Sequence, residues 1–163
     1  RRAREAGGRG DGVLVVGIGS LMTQLARCCR PVPPDAIVGF VTKGHGVSVH
    51  REHCATFARM ADRAPERVIE TAWGEEALRG GTDGRPRRFP ADVEVRANDR
   101  PGLLRDITEV FARDRLNVTA VQTLSRQQVA SMRFTVEVPD AGQLARTLSA
   151  VREVNGVIQA RRR

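Results

Sequence analysis

Hydrophobic and polar residues alternate in two stretches of the second half of the chain. One stretch covers residues 89–97, and the other covers residues 130–138. A period of two is typical of a β strand that buries only one of its faces. The sequence therefore predicts two strands of a sheet that packs on one side.

Helical spacing is found between and after these strands. Apolar side chains recur every three or four residues over 103–111, and Pro101 is suited to the first turn of this helix. The same spacing returns over 144–151, and strand-like runs cover 117–124 and 157–160. The order is βαββαβ, which predicts a ferredoxin-like layer of two helices on an antiparallel sheet.

The patterns in the first half are shorter. Apolar runs predict four strands, at residues 13–16, 36–42, 47–49 and 67–73. Glycines on both sides of His45 predict a hairpin turn between the second and third strands. Ser20 is suited to cap a helix over 21–27, and a further helix is predicted over 50–60. The sequence thus predicts a small α+β unit in front of the ferredoxin-like one.

Changes in composition divide the chain into domains. Residues 1–12 are rich in Arg and Gly and lack apolar periodicity, which predicts a flexible basic leader. The Gly-, Pro- and Arg-rich residues 80–88 predict a linker between a first domain at 13–79 and a second at 89–163. The absence of an initiator Met indicates a fragment or an internal boundary.

Composition excludes several classes of protein. The hydrophobic fraction of 40% supports packed cores, and no apolar run approaches the roughly 20 residues that span a bilayer. No secretory signal is found, and three cysteines form no complete disulfide framework, so the cytoplasm is the expected compartment. No independent active site is expected, because the chain lacks a His-Asp dipeptide, a P-loop and a Gly-x-Ser-x-Gly elbow.

The formal net charge is +8, and the excess of basic residues lies in the first half and at the two ends. Residues 27–63 contain six basic and three acidic side chains, whereas residues 92–160 contain nine of each. A basic domain favours a polyanionic partner, above all nucleic acid. A solvated surface in an Arg-rich protein is the alternative.

All three cysteines and all three histidines lie within residues 25–54. Three thiolates and one imidazole, a common ligand set for structural zinc, are available in Cys28, Cys29, His50 and Cys54. His50 and Cys54 are four residues apart, so one helical turn would aim both in the same direction. His53 or His45 can replace a ligand. Reduced thiols and a redox switch stay open as alternatives, because zinc knuckles usually separate their cysteines by two or more residues.

Two further groups of residues are candidate binding sites. Basic side chains around the cysteines and the predicted hairpin turn are candidates for RNA contacts: Arg27, Arg30, Lys43, His45 and Arg51. The loop before the first helix of the second domain can form an anion-friendly nest for a ligand: Asn98, Asp99, Arg100, Pro101, Gly102 and Leu103. The simpler interpretations are a solvated rim for the first group and a helix capped by Asp99 for the second.

Two segments resemble known domains. LMTQLARCCRPVPPDAIVGFVTKGHGVSVHREHC is similar to the zinc-finger-like, conserved-cysteine domain in the C-terminal half of long RelA/SpoT proteins. DRPGLLRDITEVFARDRLNV, within its predicted βαββαβ order, is similar to the ACT domain at the C-terminal end of those proteins. Together the two segments cover about residues 13–163 in the order found in the family. Their sequences resemble those of RelA-like, synthetase-dominant members more than those of SpoT. One departure is His53, where the family typically has an acidic residue.

The resemblance implies a regulatory function. The parent protein would be a GTP pyrophosphokinase of the stringent response, which transfers pyrophosphate from ATP to GTP or GDP to make (p)ppGpp; (p)ppGpp hydrolysis is left open. This chain would dock on ribosomal RNA and uncharged tRNA and relay amino-acid starvation to upstream catalytic domains. The alternative is a dimerising ACT module that senses an amino acid or a nucleotide at the loop before its first helix.

Overall fold

The structure is a computed structural model that describes residues 12–15, 22–79 and 87–163. The chain forms two compact units, residues 1–87 and 88–163. Nearly all of the predicted leader, the predicted cap Ser20 and most of the predicted linker lie outside the described residues, so the domain bounds given above stay a prediction. Among the described helices, none combines the length and the apolar character needed to cross a membrane.

The first unit is built on a four-stranded sheet. Its strands are β2 (Thr23–Leu25), β3 (Ile37–Val41), β4 (Val47–Arg51) and β5 (Val68–Ile69). The strand order is β2-β4-β3-β5; β2 runs parallel to β4, and the other pairs are antiparallel. Val47 and Val49 are fully buried and form the centre of a small core with Val13. Strand β4 is therefore the central element of this unit.

The remaining elements of the first unit are short. Two more strands pair with each other, β1 (Val13–Val15) and β6 (Thr71–Trp73). The described residues of this unit also form two helices, α1 (Ala55–Arg63) and α2 (Glu75–Arg79), and one 3-10 turn, Pro65–Arg67. No residue of α1 is fully buried. Apolar packing alone therefore holds this helix only weakly.

The predicted helix over 21–27 is wrong. Thr23–Leu25 form a strand, and residues 27–29 form a turn. Backbone hydrogen bonds from Val47 N–H to the Met22 carbonyl and from Ala26 N–H to the Val49 carbonyl, both 2.8 Å, attach this stretch to β4. Pairing with a strand that is already part of a sheet overrides the local preference for helix.

The predicted helix over 50–60 begins too early. His50 and Arg51 belong to β4, because β3 continues opposite them with Val38 and Ile37. Helix α1 begins only at Ala55, after Cys54 as its N-cap residue. The argument that placed His50 and Cys54 on one helical turn is therefore wrong. The apolar run at 67–73 likewise forms two strands, β5 and β6, instead of one.

The second unit has the predicted α+β, βαββαβ order, which is confirmed. Its elements are β7 (Phe89–Asn98), α3 (Leu103–Arg113), β8 (Asn117–Arg126), β9 (Val129–Val138), α4 (Ala141–Arg152) and β10 (Val157–Arg162). The strands form an antiparallel sheet in the order β10-β7-β9-β8. This is the ferredoxin-like arrangement.

Alternation along β7 and β9 places the core on the helical side of this sheet. Val93, Val95, Met132 and Phe134 are buried there, and the ring of Phe134 packs on Phe111 of α3 with 5.3 Å between ring centroids. The residues between them point away from the helices, to an open face of the sheet. Strand β8 lies at the sheet edge and is exposed along most of its length.

Candidate metal centre and the surfaces around it

Four potential ligands come together at one end of β4. The cluster consists of Cys28, Cys29, His50 and Cys54, whose ligand atoms all lie within 4.8 Å of one another. The Cys28 Sγ lies 3.3 Å from Nδ1 of His50 and 3.7 Å from Sγ of Cys54. Zn–S bonds of about 2.3 Å in a tetrahedral site place two sulfurs about 3.8 Å apart. The separations of the cluster therefore fit a zinc ion.

The two adjacent cysteines both reach the cluster because the chain turns sharply at this point. Residues 27–29 form a turn, which is closed by a hydrogen bond of 3.0 Å from Arg30 N–H to the Ala26 carbonyl. Arg30 has φ +43°, a left-handed conformation that is uncommon outside glycine. Cys29 is buried and Cys28 is exposed, so the turn splays their side chains to two sides of one site.

His50 is held in the orientation that a ligand needs. Its side chain is buried, with 2% of its surface exposed, and its ring packs against Phe57 with 5.7 Å between centroids. Its Nδ1 faces the thiols, while Nε2 lies 2.9 Å from the Ser48 hydroxyl. Burial lowers the pKa of His50, which favours the neutral imidazole that binds metals.

Backbone N–H groups point at two of the sulfurs. The Arg51 N–H donates to Sγ of Cys29 at 3.2 Å. Burial raises the pKa of Cys54, but hydrogen bonds from the N–H of Phe57 and from the other thiols outweigh this, so the pKa of Cys54 lies below its usual value. Burial raises the pKa of Cys29 to about 12, so this thiol stays protonated until a cation displaces the proton.

The ligand set corresponds to a structural site. Four protein ligands leave no position open for water or substrate, unlike a catalytic zinc site with three protein ligands. The cluster joins the turn at 27–29, strand β4 and the start of α1. A bound metal would therefore attach a helix without buried residues to the central strand. His45 and His53 are exposed and are not members of the cluster.

Comparison with known proteins agrees with both units. The family model for the RelA/SpoT RIS domain matches residues 13–74, and that for the ACT domain matches residues 85–162. The GTP pyrophosphokinase of Escherichia coli K12 is 43% identical over 152 residues, which are 92% of this chain and 19% of that protein.

The chain combines a RelA/SpoT RIS domain with an ACT domain.

Further relatives extend the comparison. The GTP pyrophosphokinase of Streptomyces coelicolor is 43% identical over 148 residues, 90% of this chain and 16% of that protein. The chain thus spans about a fifth of the length of the curated relatives that it matches. The crystal structure of the ACT domain from GTP pyrophosphokinase of Chlorobium tepidum has a TM-score of 0.43 at 20% identity, covering 47% of this chain and 99% of that one.

Ser48 is a residue of the RIS domain that sequence reasoning missed. With a metal on Nδ1 of His50, Nε2 would carry the ring proton and its N–H would donate a hydrogen bond to the Ser48 hydroxyl oxygen. We expect Ser48→Ala to lower the zinc affinity about 10- to 100-fold, because outer-shell partners of metal-bound histidines contribute that much. Competition with a chromophoric chelator measures the affinity. Ser48→Thr retains the hydroxyl and should retain most of the affinity; equal losses in both variants would contradict the role of the hydrogen bond.

The five predicted RNA-contact residues of the RIS domain form two groups, at the two ends of β4. Lys43 and His45 are exposed at the tip of the β3–β4 hairpin. Arg27 is exposed and Arg30 half-buried beside the cysteines, where Arg51 also lies, 3.8 Å from the carboxylate of Asp35. The two groups are separated by the length of β4, which is about 13 Å from Val47 to Arg51 at a rise of about 3.3 Å per residue.

The hairpin tip has two features that the sequence did not reveal. Met22, with 77% of its surface exposed, lies beside the tip. Gly46 has φ +74°, and a Cβ atom there would clash with the Met22 carbonyl oxygen. At Gly44, with φ +84°, a Cβ atom would have no neighbour within 4 Å. The tip is thus open at Gly44 and closely packed at Gly46.

The predicted ligand loop of the ACT domain is engaged mostly in internal contacts. Gly102 is the N-cap of α3 and no side chain caps the helix, so the alternative interpretation of this loop, a helix capped by Asp99, is wrong. The Asp99 carboxylate instead accepts a hydrogen bond of 2.7 Å from the Ser125 hydroxyl. Leu103 is buried, whereas Asn98, Pro101 and Gly102 lie at or near the surface.

Arg100 of this loop lines a cavity. It bonds to the Asn155 carbonyl at 3.0 Å and to the Asp106 carboxylate at 2.8 Å. Hydrogen bonds from Arg100 and Arg105 hold the pKa of Asp106 below its usual value. The cavity has a volume of about 560 Å³ and also borders Glu109, Val110, Arg113 and Val154.

Proposed function

We propose that this chain is the regulatory region of a cytoplasmic GTP pyrophosphokinase of the stringent response, and that its RIS domain docks on ribosomal RNA and uncharged tRNA. The observation that carries the proposal is the exposed basic hairpin tip on a domain whose relatives are GTP pyrophosphokinases. The docked state would be relayed to upstream catalytic domains, which transfer pyrophosphate from ATP to GTP or GDP.

The hairpin tip offers complementary groups for an RNA surface. The Lys43 ammonium is an exposed cation that can neutralise a phosphate. The exposed His45 ring can stack on an unpaired base, and Gly44 has no side chain to obstruct the approach. Met22, beside the tip, adds an apolar surface against which a base can lie.

A bound metal would stabilise the segment that carries the basic residues beside the cysteines. Zinc, when bound, supplies a rigid cross-link between segments of a small domain. Cys28 and Cys29 would hold the turn that carries Arg27 and Arg30, and His50 would hold the end of β4. This arrangement would fix the positions of the basic side chains and would contribute no catalytic step of its own.

Reversal of charge at the hairpin tip tests the docking proposal. We expect Lys43→Glu with His45→Glu to weaken co-sedimentation of the chain with ribosomes at least tenfold, because a repulsive pair replaces the phosphate contacts. The affinity of the unmodified chain should fall steeply with salt. Arg59→Glu, on an exposed position of α1, changes the charge away from the tip and should have little effect. Unchanged sedimentation of the tip variant would contradict the proposal.

A second candidate function is sensing of a small ligand by a dimeric ACT domain. It is favoured by the cavity at Arg100, whose lining offers cationic and anionic groups to a zwitterion such as an amino acid: Arg100, Asp106, Glu109 and Arg113. We expect the favoured amino acid to release heat in calorimetric titration and to raise the Tm of the chain. Arg113→Gln should abolish both effects. A panel of twenty amino acids without heat would exclude this function.

A further inference from the structure

The open face of the ACT sheet carries a second surface, distinct from the loop before α3. On this face, Ser131 of β9 lies between a residue of β7 and a residue of β8, and Arg133 lies between the next such pair. The two rows across the strands are Arg96–Ser131–Leu124 and Glu94–Arg133–Gln122. All six side chains point away from the helices, because the residues between them are in the core.

These two rows line a cavity of about 560 Å³. Ser131 has the smallest side chain of the six and lies at the centre of its row. The cavity is therefore deepest between Arg96 and Leu124. Small-molecule sites in proteins usually have volumes of about 300–1,000 Å³. The cavity is thus large enough for one nucleotide-sized molecule.

The charge of this surface favours an anion. Among the described residues, Arg96 and Arg126 have no hydrogen-bond or ion-pair partner. Glu94 is the carboxylate of the two rows, and it lies within 4 Å of Arg133, Arg161 and Arg163 at once. Guanidinium groups therefore outnumber the carboxylate, and half of the Arg133 side-chain surface stays exposed.

The hairpin turn next to the cavity is held in a costly conformation. Gln127 and Gln128, between β8 and β9, have φ +50° and +64°. Such turns usually contain Asn or Gly, because a left-handed backbone conformation is unfavourable for residues with larger side chains. The turn fixes Arg126 at the end of β8, on the same face as Leu124. Backbone strain of this kind is concentrated at binding sites.

We propose that the open face of the ACT sheet binds a free nucleoside polyphosphate. Arg96 and Arg133 hold the phosphates, since planar guanidinium groups donate two parallel hydrogen bonds to phosphate oxygens. The base lies on Leu124, an apolar side chain with 57% of its surface exposed. The Gln122 amide and the Ser131 hydroxyl supply donors and acceptors for the base or the ribose.

A free nucleotide fits this face better than a strand of RNA. Surfaces that bind single-stranded RNA stack successive bases on aromatic side chains along a basic groove. In the described ACT residues, the aromatic rings of the sheet, Phe89 and Phe134, are buried on the opposite side. The two rows form one cavity with one exposed apolar side chain, Leu124, on which a single base can lie.

Titration of the ¹⁵N-labelled chain with ATP, and separately with GTP, at low ionic strength tests this proposal by NMR. The expected result is a set of saturable shifts in the amides of the two rows. Arg96→Gln and Arg133→Gln should each lower the affinity about tenfold, and Leu124→Ala should lower it several-fold. Arg146→Gln removes an exposed arginine from helix α4, on the other side of the sheet, and should bind as the unmodified chain does.

Four outcomes would overturn the proposal. One is the absence of shifts at millimolar nucleotide, and another is binding that survives both arginine substitutions in variants whose spectra show an intact fold. Inorganic triphosphate that binds as tightly as ATP would exclude a base on Leu124. A single-stranded RNA decamer that binds the same rows much more tightly than either nucleotide would identify the face as an RNA track.

Discussion

Cys29→Ser, or removal of the metal with a strong chelator, should unfold the RIS domain and leave the ACT domain folded. Structural zinc contributes on the order of 10 kcal/mol to the folding of small zinc domains, and a domain of roughly 60 residues has little core to replace it. Here the core is centred on Val47 and Val49, and α1 has no fully buried residue. Without the metal, the cross-link between the turn at 27–29, β4 and α1 is lost.

Two measurements check this expectation. Metal analysis of the purified chain should find about one zinc per chain before chelation and none after it. In ¹H–¹⁵N spectra, the resonances of the RIS domain should collapse to the unfolded range, while those of residues 88–163 keep their positions. His53→Ala removes an exposed histidine outside the cluster and should leave both results unchanged. A metal-free chain with intact RIS resonances would show that the thiols are reduced and metal-free in the native fold.

Gly46→Ala should destabilise the RIS domain far more than Gly44→Ala. Both glycines have φ near +80°, so an added Cβ atom costs about 1–2 kcal/mol at either position. At Gly46 that atom would also clash with the Met22 carbonyl oxygen, which accepts a hydrogen bond from the Val47 N–H. We expect a loss of about 3 kcal/mol or more at Gly46, against about 1 kcal/mol at Gly44.

Urea denaturation followed by the fluorescence of Trp73, in the RIS domain, measures the two losses. Its indole N–H bonds to the Asp35 carbonyl at 2.9 Å, so the signal reports on the packing of this domain. Gly44→Ala serves as the control, because the backbone strain is the same and the steric clash is absent. Equal midpoints for the two variants would contradict the close approach at Met22.

The ACT fold could be predicted from the sequence because its elements are long and regularly patterned. Ten residues of alternation in β7 and β9, and the apolar stripe of α3, leave one consistent arrangement. The RIS domain was harder, since its strands have two to five residues. Thr23–Leu25 forms a strand only because it pairs with β4. The propensities of these three residues alone do not indicate this pairing.

The sequence was enough to predict which residues form the candidate site. It was not enough to predict how they are arranged. Residue types and proximity in the sequence were enough to select the four candidate ligands, whose side chains the structure brings together. The mechanism offered for their convergence was wrong, since His50 lies on a strand and Cys54 precedes a helix. Ser48 had an available signal: it is two residues before His50, and side chains at i and i+2 of a strand share a face.

In the proposed docking, strand β4 would limit the kind of RNA that the RIS domain can select. Its two ends carry separate basic groups, and a paired strand in the middle of a sheet neither stretches nor bends easily. An RNA would therefore engage both ends only if its folded surface presents phosphates at the matching separation. Docking of this kind would distinguish RNAs by their three-dimensional shape and would be indifferent to the identity of most bases.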